Sequence, residues 1–152
     1  MSPPRPPGSV PPARAALVIG GSSMRLLIVE DERPLAPVLA DPLALGQVVS
    51  NLLDNAQQHA SSRVVLELHE HGSMAELVVS DDGPGIPLPD RERVFERFVR
   101  LDVHRSRNDG GTGLGLAICR EIVGRHGGTI TIDDSAVGTR VVVKWPIGPI
   151  AA

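Results

Sequence analysis

The clearest periodic pattern in the chain lies between residues 41 and 62. Its apolar residues recur at helical spacing and predict one buried stripe: Leu45, Val48, Val49, Leu52, Leu53 and Ala56. Asp41 is a favourable N-cap residue, and Pro42 suits the first helical position because its missing N–H needs no partner there. The pattern predicts a helix that begins at Asp41-Pro42 and ends near Ala60-Ser61-Ser62.

Beyond this helix, apolar and polar residues alternate as they do in strands. Residues 63–69 and 75–80 predict two strands joined by a turn at 71–73, where glycine and serine favour a reversal of the chain. Residues 129–133 and 139–145 predict a closing hairpin that Pro146 ends.

The region between the two hairpins predicts two helices. A short one is expected over residues 90–100 and a longer one from about Leu114 to His126, where Gly127-Gly128 stops it. With the first helix, the pattern predicts an α/β two-layer sandwich, whose mixed, mostly antiparallel sheet carries the helices on one face.

The N-terminal part has a different composition. Residues 1–23 hold six of the chain's fourteen prolines, which predicts a disordered, proline-rich leader. Residues 24–36 follow as a remnant or linker, residues 37–148 as the folded domain and residues 149–152 as a tail. Met24–Glu32 resembles the first strand of a response-regulator receiver domain, but the stretch is too short for a receiver. The alternative is an edge strand on the main sheet.

Composition narrows the class of protein. The chain has 152 residues, 41% of them hydrophobic and 2% aromatic, so we expect one domain with an aliphatic core. A net charge of −3 gives no indication of nucleic-acid binding. Its single cysteine, Cys119, excludes an internal disulfide. No apolar run is long enough to span a bilayer, and the cytoplasm is the expected location.

Four short segments carry the chemistry, and their order and spacing are specific. They are Asn51–His59, Asp81–Pro87, Val94–Phe98 and Gly111–Leu116. Together they resemble the N box, first glycine box, F box and second glycine box of the ATP-binding domain of sensor histidine kinases. That domain belongs to the ATPase superfamily shared with gyrase, the Hsp90 chaperones and MutL, and has the Bergerat-type fold. The resemblance covers roughly residues 37–147.

The resemblance implies that ATP and Mg²⁺ are the cofactors and assigns roles on the first helix. Asn51, Asn55 and His59 are four residues apart and share one face. Asn55 is expected to bind Mg²⁺ through its amide oxygen, and Asn51 to contact phosphate or a metal-bound water, so these two are the catalytic candidates. His59 is expected near the ribose and phosphates. Gln58 departs from the Lys or Arg frequent in the family and removes one positive charge.

The first glycine box is expected to bind adenine. By resemblance, the Asp81 carboxylate accepts from the adenine amino group, and Gly83, Gly85 and Ile86 bring the loop close to the base. The ordinary alternative for Asp81 is a turn residue. Asp82 is expected to face solvent.

The second glycine box is expected to hold the phosphates through backbone N–H groups at a helix N-terminus. Its expected nucleotide contacts are Gly111, Thr112, Gly113, Leu114, Gly115 and Leu116. The stretch between Gly85 and Gly111 resembles the ATP lid of the family. Phe95 and Phe98 are expected to anchor the short helix, and Arg97 and Arg100 either reach phosphate or lie exposed. Thr139 is expected to contact adenine.

The function implied is that of the Mg-ATP-binding catalytic domain of a two-component sensor histidine kinase. Its γ-phosphate would pass to a histidine on a dimerisation domain or partner kinase chain, because none of the five His here has the sequence context of a phosphoacceptor. A response regulator would act downstream. An anti-sigma-factor-type serine kinase and a non-catalytic nucleotide-sensing module remain alternatives. A gyrase-like ATPase is disfavoured, because Asn51 stands where those proteins have a general-base Glu.

Overall fold

The computed structural model describes residues 15–20, 23–27, 41–97 and 115–147, and six strands in these ranges form one sheet. The strands are β1 Ala15–Gly20, β2 Ser23–Leu27, β3 Arg63–His71, β4 Met74–Asp81, β5 Thr129–Asp133 and β6 Arg140–Pro146. Their order in the sheet is β2-β1-β3-β4-β6-β5, and every neighbouring pair is antiparallel. The helices are α1 Pro42–His59 and α2 Gly115–Arg125, and two 3₁₀ turns cover Leu88–Asp90 and Arg93–Phe95.

Helix α1 begins and ends where the sequence predicts. The Asp41 carboxylate accepts a hydrogen bond from the Leu43 N–H at 3.0 Å and so satisfies one of the free donors of the first turn. At the other end, the Ala60 N–H donates to the Ala56 carbonyl at 2.8 Å before the chain turns into an extended conformation.

Both helices pack on the same face of the sheet and bury an aliphatic core. The helices contribute Val48, Leu52, Ala56, Cys119 and Val123. Alternate strand positions contribute Val64, Leu77, Val79, Ile130, Ile132, Val141, Val143 and Trp145. Because alternate strand residues face opposite sides of a sheet, this pattern directs one side of β3, β4, β5 and β6 to the helices. The two-layer α/β sandwich is therefore confirmed.

The sheet register determines where the polar loops meet. Strand β6 lies between β4 and β5, and Ser80 is paired with Arg140. The end of β4 therefore lies beside the beginning of β6. On the other side of β4, Val64 of β3 is paired with Asp81, so the loop that precedes β3 also comes to the place where β4 ends. This end of the strands is the edge of the sheet at which the predicted site residues lie.

The N-terminal prediction needs correction. Ala15–Gly20, inside the predicted disordered leader, forms β1 and pairs with β3. Ser23–Leu27 forms β2 at the edge of the sheet, as the edge-strand alternative expected. The sequence of residues 15–20 is mostly apolar, as is typical of strands, and the proline count of residues 1–23 obscured this signal.

Two further predictions are wrong. The sheet is not mixed, because all its described pairs are antiparallel. Residues 90–97 contain the end of one 3₁₀ turn and all of another instead of an α-helix, and residues 98–100 lie outside the described residues. The helical periodicity there extends over too few residues to nucleate an α-helix. In the part of the chain that the structure describes, no helix combines the length and apolar character that crossing a membrane requires.

Candidate functional site

The polar face of α1 carries three of the predicted site residues. Asn51, Asn55 and His59 are all half-buried, unlike the exposed Asp54 of the same helix. The Cys119 thiol of α2 donates to the Val48 carbonyl of α1 at 3.8 Å. Burial raises the pKa of that thiol to about 11, and the Asn51 side chain offsets the effect only in part. The thiol is therefore protonated at neutral pH, and Asn51 lies at the contact between the helices.

Asp81 and Thr139 are brought together by the pairing of β4 with β6. Both residues are buried, with 7% and 6% of their surface exposed. The Asp81 N–H donates to the Thr139 carbonyl at 2.9 Å, and the Asp81 carboxylate accepts from the Gly83 N–H at 2.9 Å. These bonds fix a buried carboxylate at the edge of the sheet. The structure thus brings together two residues that the sequence predicts to share the adenine site.

Three glycines allow backbone segments to touch at this edge. A Cβ atom on Gly83 would lie 2.1 Å from the His59 carbonyl oxygen at the end of α1. On Gly138, which has φ +70°, it would lie 1.9 Å from the Asp81 carbonyl oxygen. On Gly85, with φ +79°, it would lie 3.0 Å from the Gly138 carbonyl oxygen. The end of α1, the loop after β4 and the loop before β6 therefore meet through backbone contacts that side chains would block.

Asp82 is partly exposed, in line with the predicted solvent-facing position, but its carboxylate is also bonded to protein groups. Its Oδ1 accepts hydrogen bonds from the N–H groups of Ser61, Ser62 and Arg63 at 2.9, 2.9 and 3.0 Å, and its Oδ2 accepts from the Ser62 hydroxyl at 2.5 Å. The Ser62 hydroxyl, with these N–H groups, holds the pKa of the Asp82 carboxyl well below its usual range. The signal available in the sequence was the tight link between α1 and β3, whose N–H groups need acceptors.

The segment after the first glycine box is attached to two other elements. Arg91 donates to the Ile86 carbonyl at 3.4 Å and to Asp134, in the loop between β5 and β6, at 2.7 Å. Phe95 is 4% exposed and belongs to the core, as predicted. Ile86 packs against the same core.

Helix α2 also contacts this segment. The guanidinium of Arg120 lies 5.2 Å from the centre of the Phe95 ring and bonds Glu92 at 2.9 Å. Arg97, for which phosphate contact and exposure were both open, is exposed and forms an ion pair with Glu121 at 3.4 Å.

Only part of the second glycine box can be placed. Gly111, Thr112, Gly113 and Leu114 lie outside the described residues, as do Phe98 and Arg100. Gly115 is the exposed first residue of α2, and Leu116 packs against the core. Among the described residues, no three His, Cys, Asp or Glu side chains form a group that could hold a metal ion.

Comparison with known proteins agrees with this geometry. Residues 40–149 match the family described as histidine kinase-, DNA gyrase B- and HSP90-like ATPase. The chain is 45% identical over 108 residues to the sensor protein RstB of Escherichia coli K12, which covers 70% of this chain and 25% of RstB. It is 48% identical over 104 residues to the histidine-protein kinase/phosphatase MprB of Mycolicibacterium smegmatis, covering 66% and 21% of the two chains.

Solved structures show the same fold. The structure of mycobacterial sensor histidine kinase MprB is 40% identical, with a TM-score of 0.64 and coverage of 74% of this chain and 76% of that one. Full-length ShkA in complex with AMPPNP is 30% identical, with a TM-score of 0.67 and coverage of 78% and 25%. The chain spans about a quarter of the length of the curated relatives given above. It belongs to the family of histidine kinase-, DNA gyrase B- and HSP90-like ATPases, and corresponds in it to the ATP-binding domain of sensor histidine kinases.

Proposed function

We propose that this domain binds Mg-ATP between α1 and the edge of the sheet where β4 ends, and presents the γ-phosphate to a histidine of a dimerisation domain. The observation that carries the proposal is the convergence of Asp81, Thr139 and the end of α1 around glycines that permit close backbone contact. The sequence similarity to sensor histidine kinases supports the same assignment.

Adenine binding is supported by the buried carboxylate at the end of β4. The Asp81 N–H donates to the Thr139 carbonyl, and the Asp81 carboxylate accepts from the Gly83 N–H. The orientation of this carboxylate is therefore set before any ligand binds. A carboxylate accepts from the exocyclic amino group of adenine, whereas guanine presents a carbonyl there, so the group selects adenine. Thr139, whose carbonyl accepts from the Asp81 N–H, and Ile86, which packs on the core, would form the neighbouring contacts.

The side chains on α1 fit a magnesium ion. Mg²⁺ prefers hard oxygen ligands and keeps several waters, so a single amide oxygen from Asn55 suffices as a protein ligand. Asn55 is half-buried on the face that Asn51 and His59 share. When bound, the ion offsets the charge of the phosphates. Asn51 would contact phosphate or a metal-bound water, and His59 would lie near the ribose.

The phosphates would be held by the second glycine box. Backbone N–H groups of Gly111–Leu114, with Gly115 and Leu116 at the start of α2, would contact their oxygens. The AMPPNP complex of ShkA, whose matched part is 30% identical, supports a nucleotide site in this fold.

The phosphoacceptor and the receiver of the signal lie outside this chain in the proposal. Phosphoryl transfer depends mainly on positioning and on stabilising charge, so the domain would deliver ATP to a histidine that a dimerisation domain or partner kinase chain supplies. A response regulator would take the phosphoryl group next. The similarity to sensor histidine kinases supports this role and a cytoplasmic location.

Calorimetric titration with AMPPNP, with and without magnesium, tests the proposal. The parent chain is expected to bind the analogue with Mg²⁺ and much more weakly without it. Asn55→Ala is expected to abolish the magnesium dependence while the fold is retained, and Gln57→Ala, an exposed change on the same helix, serves as the control. A parent chain that binds no analogue would contradict the proposal. An Asn55→Ala variant with unchanged affinity would contradict the assignment of Asn55 as the metal ligand.

A further inference from the structure

We infer that Asp82 is a positioning residue, which fixes the orientation of α1 relative to the adenine-binding edge of the sheet. The inference rests on the proposed function, because it concerns how the two ends of the proposed ATP site are held at a constant separation. Asp82 itself contacts protein groups and is not assigned a contact with nucleotide.

The carboxylate gathers four donors from one short connection. The N–H groups of the three consecutive residues after Ala60 point at Oδ1, at 2.9 to 3.0 Å, and the Ser62 hydroxyl takes Oδ2. In the opposite direction the Asp82 N–H donates to the Arg63 carbonyl at 3.3 Å. The connection between α1 and β3 is therefore bonded to residue 82 through both its side chain and its backbone.

This connection begins where α1 ends. His59 is the last residue of α1, and its carbonyl oxygen lies against the α-carbon of Gly83, where a Cβ would be 2.1 Å away. Asp82 therefore holds the connection that follows α1, and Gly83 lies against the last residue of the helix itself. Asp81, the proposed adenine ligand, immediately precedes them.

The arrangement links two parts of the proposed site. Asn55 lies one helical turn before His59, and its position relative to Asp81 depends on the angle at which α1 meets the loop after β4. A tilt of α1 that leaves the core intact would separate the metal end of the site from the adenine end. Asp82 opposes such a tilt because its bonds span the junction.

The donors that Asp82 binds are exposed, so a role of Asp82 in positioning α1 can be distinguished from a role in the stability of the fold. Ser61, Ser62 and Arg63 are all exposed, so water can satisfy their N–H groups when the carboxylate is removed. We therefore expect loss of Asp82 to loosen the junction more than it destabilises the fold. Asparagine keeps one acceptor oxygen for the three N–H groups and should restore much of the effect.

The test compares Asp82→Ala, Asp82→Asn and the control Asp54→Ala, which removes an exposed carboxylate of α1. The first readout, in nucleotide-free protein, is amide hydrogen exchange at Ser61, Ser62 and Arg63. Asp82→Ala is expected to raise these exchange rates about tenfold or more, with a smaller rise in Asp82→Asn and none in Asp54→Ala.

The second readout is the affinity for Mg-AMPPNP, alongside the melting temperature. Asp82→Ala is expected to weaken binding by about tenfold or more, as changes behind a ligating residue do, with only a small fall in the melting temperature. Asp82→Asn should recover most of the affinity. Binding by Asp82→Ala as tight as that of the parent would overturn the inference.

The two proposals can fail separately. A parent chain that binds no nucleotide fails the proposed function and takes this inference with it. A parent chain that binds, with an Asp82→Ala variant that binds equally well, fails the inference alone. If Asp82→Ala does not fold, Ser62→Ala and Asp82→Asn decide, because each is expected to raise exchange at residues 61–63 and lower affinity measurably. Unchanged values in both would overturn the inference.

Discussion

The end of β4 with the loop that follows it and the segment from Leu88 to Arg97 both carry charged side chains, but these have different partners. In the first region, the carboxylates of Asp81 and Asp82 accept hydrogen bonds from backbone N–H groups. In the segment Leu88–Arg97, the charges pair mainly with other side chains, as in the ion pair of Glu92 with Arg120 of α2. The backbone is fixed directly in the first region and only indirectly in the second.

The difference has energetic consequences. An exposed ion pair contributes about 0.2–1 kcal/mol, because water screens it and two long side chains lose freedom. A carboxylate that accepts several backbone N–H groups forms short charge-assisted bonds and needs to restrict only its own side chain. We conclude that the proposed adenine end is built for constant geometry, while the charged contacts that join the segment before residue 98 to α2 break at low cost.

The largest effect is expected where backbone meets backbone in the first region. Gly138→Ala places a Cβ 1.9 Å from the Asp81 carbonyl oxygen at a positive φ of +70°. We expect a loss of about 3 kcal/mol or more in the free energy of unfolding, since neither backbone can move without disturbing the β4–β6 pairing. Urea denaturation monitored by the fluorescence of Trp145, which is buried in the core, measures it.

Gly72→Ala is the matched control for this change. Gly72 has a φ of +58° in the β3–β4 turn, yet a Cβ there meets nothing within 4 Å. Its replacement should therefore cost only the conformational strain, about 1–2 kcal/mol. Equal losses in the two variants would show that the close approach at Gly138 contributes nothing, and would remove the structural distinction drawn for the loop after β4.

Most of this architecture follows from local sequence signals. The Asp41-Pro42 start of α1, its apolar stripe and the Gly72 turn were predictable because each depends on residues close together in the chain. The role of Asp82 was not, because its partners lie about 20 residues earlier and become neighbours only through the β3–β4 pairing. The same applies to the bond from the Cys119 thiol to the Val48 carbonyl, which requires α1 and α2 to be packed together.

An intermediate effect is expected from acid. The pKa of Asp82 is lowered in the folded chain relative to its ordinary value of 3.8, so its contribution to stability is fully present above that value and is lost as the pH falls below it. In Asp82→Asn this dependence should disappear. The free energy of unfolding of parent and variant, measured from pH 7 down to below 3.8, should therefore differ most at neutral pH and converge in acid.

The control for the acid experiment is Asp54→Asn, which makes the same chemical change at an exposed position of α1. If the Asp82→Asn curve ran parallel to that of the parent at all pH values, the carboxylate would titrate as it does in the unfolded chain. The hydrogen bonds from Ser61, Ser62 and Arg63 would then not favour the ionised form of Asp82. The charged side chains in the loop after β4 would be no more firmly fixed than those of the segment Leu88–Arg97.

The smallest effect is expected in the second region, at Arg120. Its guanidinium lies 5.2 Å from the centre of the Phe95 ring and bonds Glu92 at 2.9 Å, but both charged side chains are largely exposed. A double-mutant cycle of Arg120→Ala and Glu92→Ala should give a coupling energy of about 0.5 kcal/mol, lower still in high salt. The Arg125–Glu121 pair, four residues apart on α2, supplies a local reference of similar size.

A coupling energy of about 2 kcal/mol or more between Arg120 and Glu92 would break the comparison, because such values belong to desolvated pairs. It would mean that the segment before residue 98 is fixed as firmly as the loop after β4. The cycle cancels the Phe95 contact, since Arg120→Ala removes this cation–π interaction of about 0.5–1 kcal/mol whether or not Glu92 is present. Arg120→Lys keeps a positive charge near the ring, so a loss that persists in this variant reports on the guanidinium bond to Glu92.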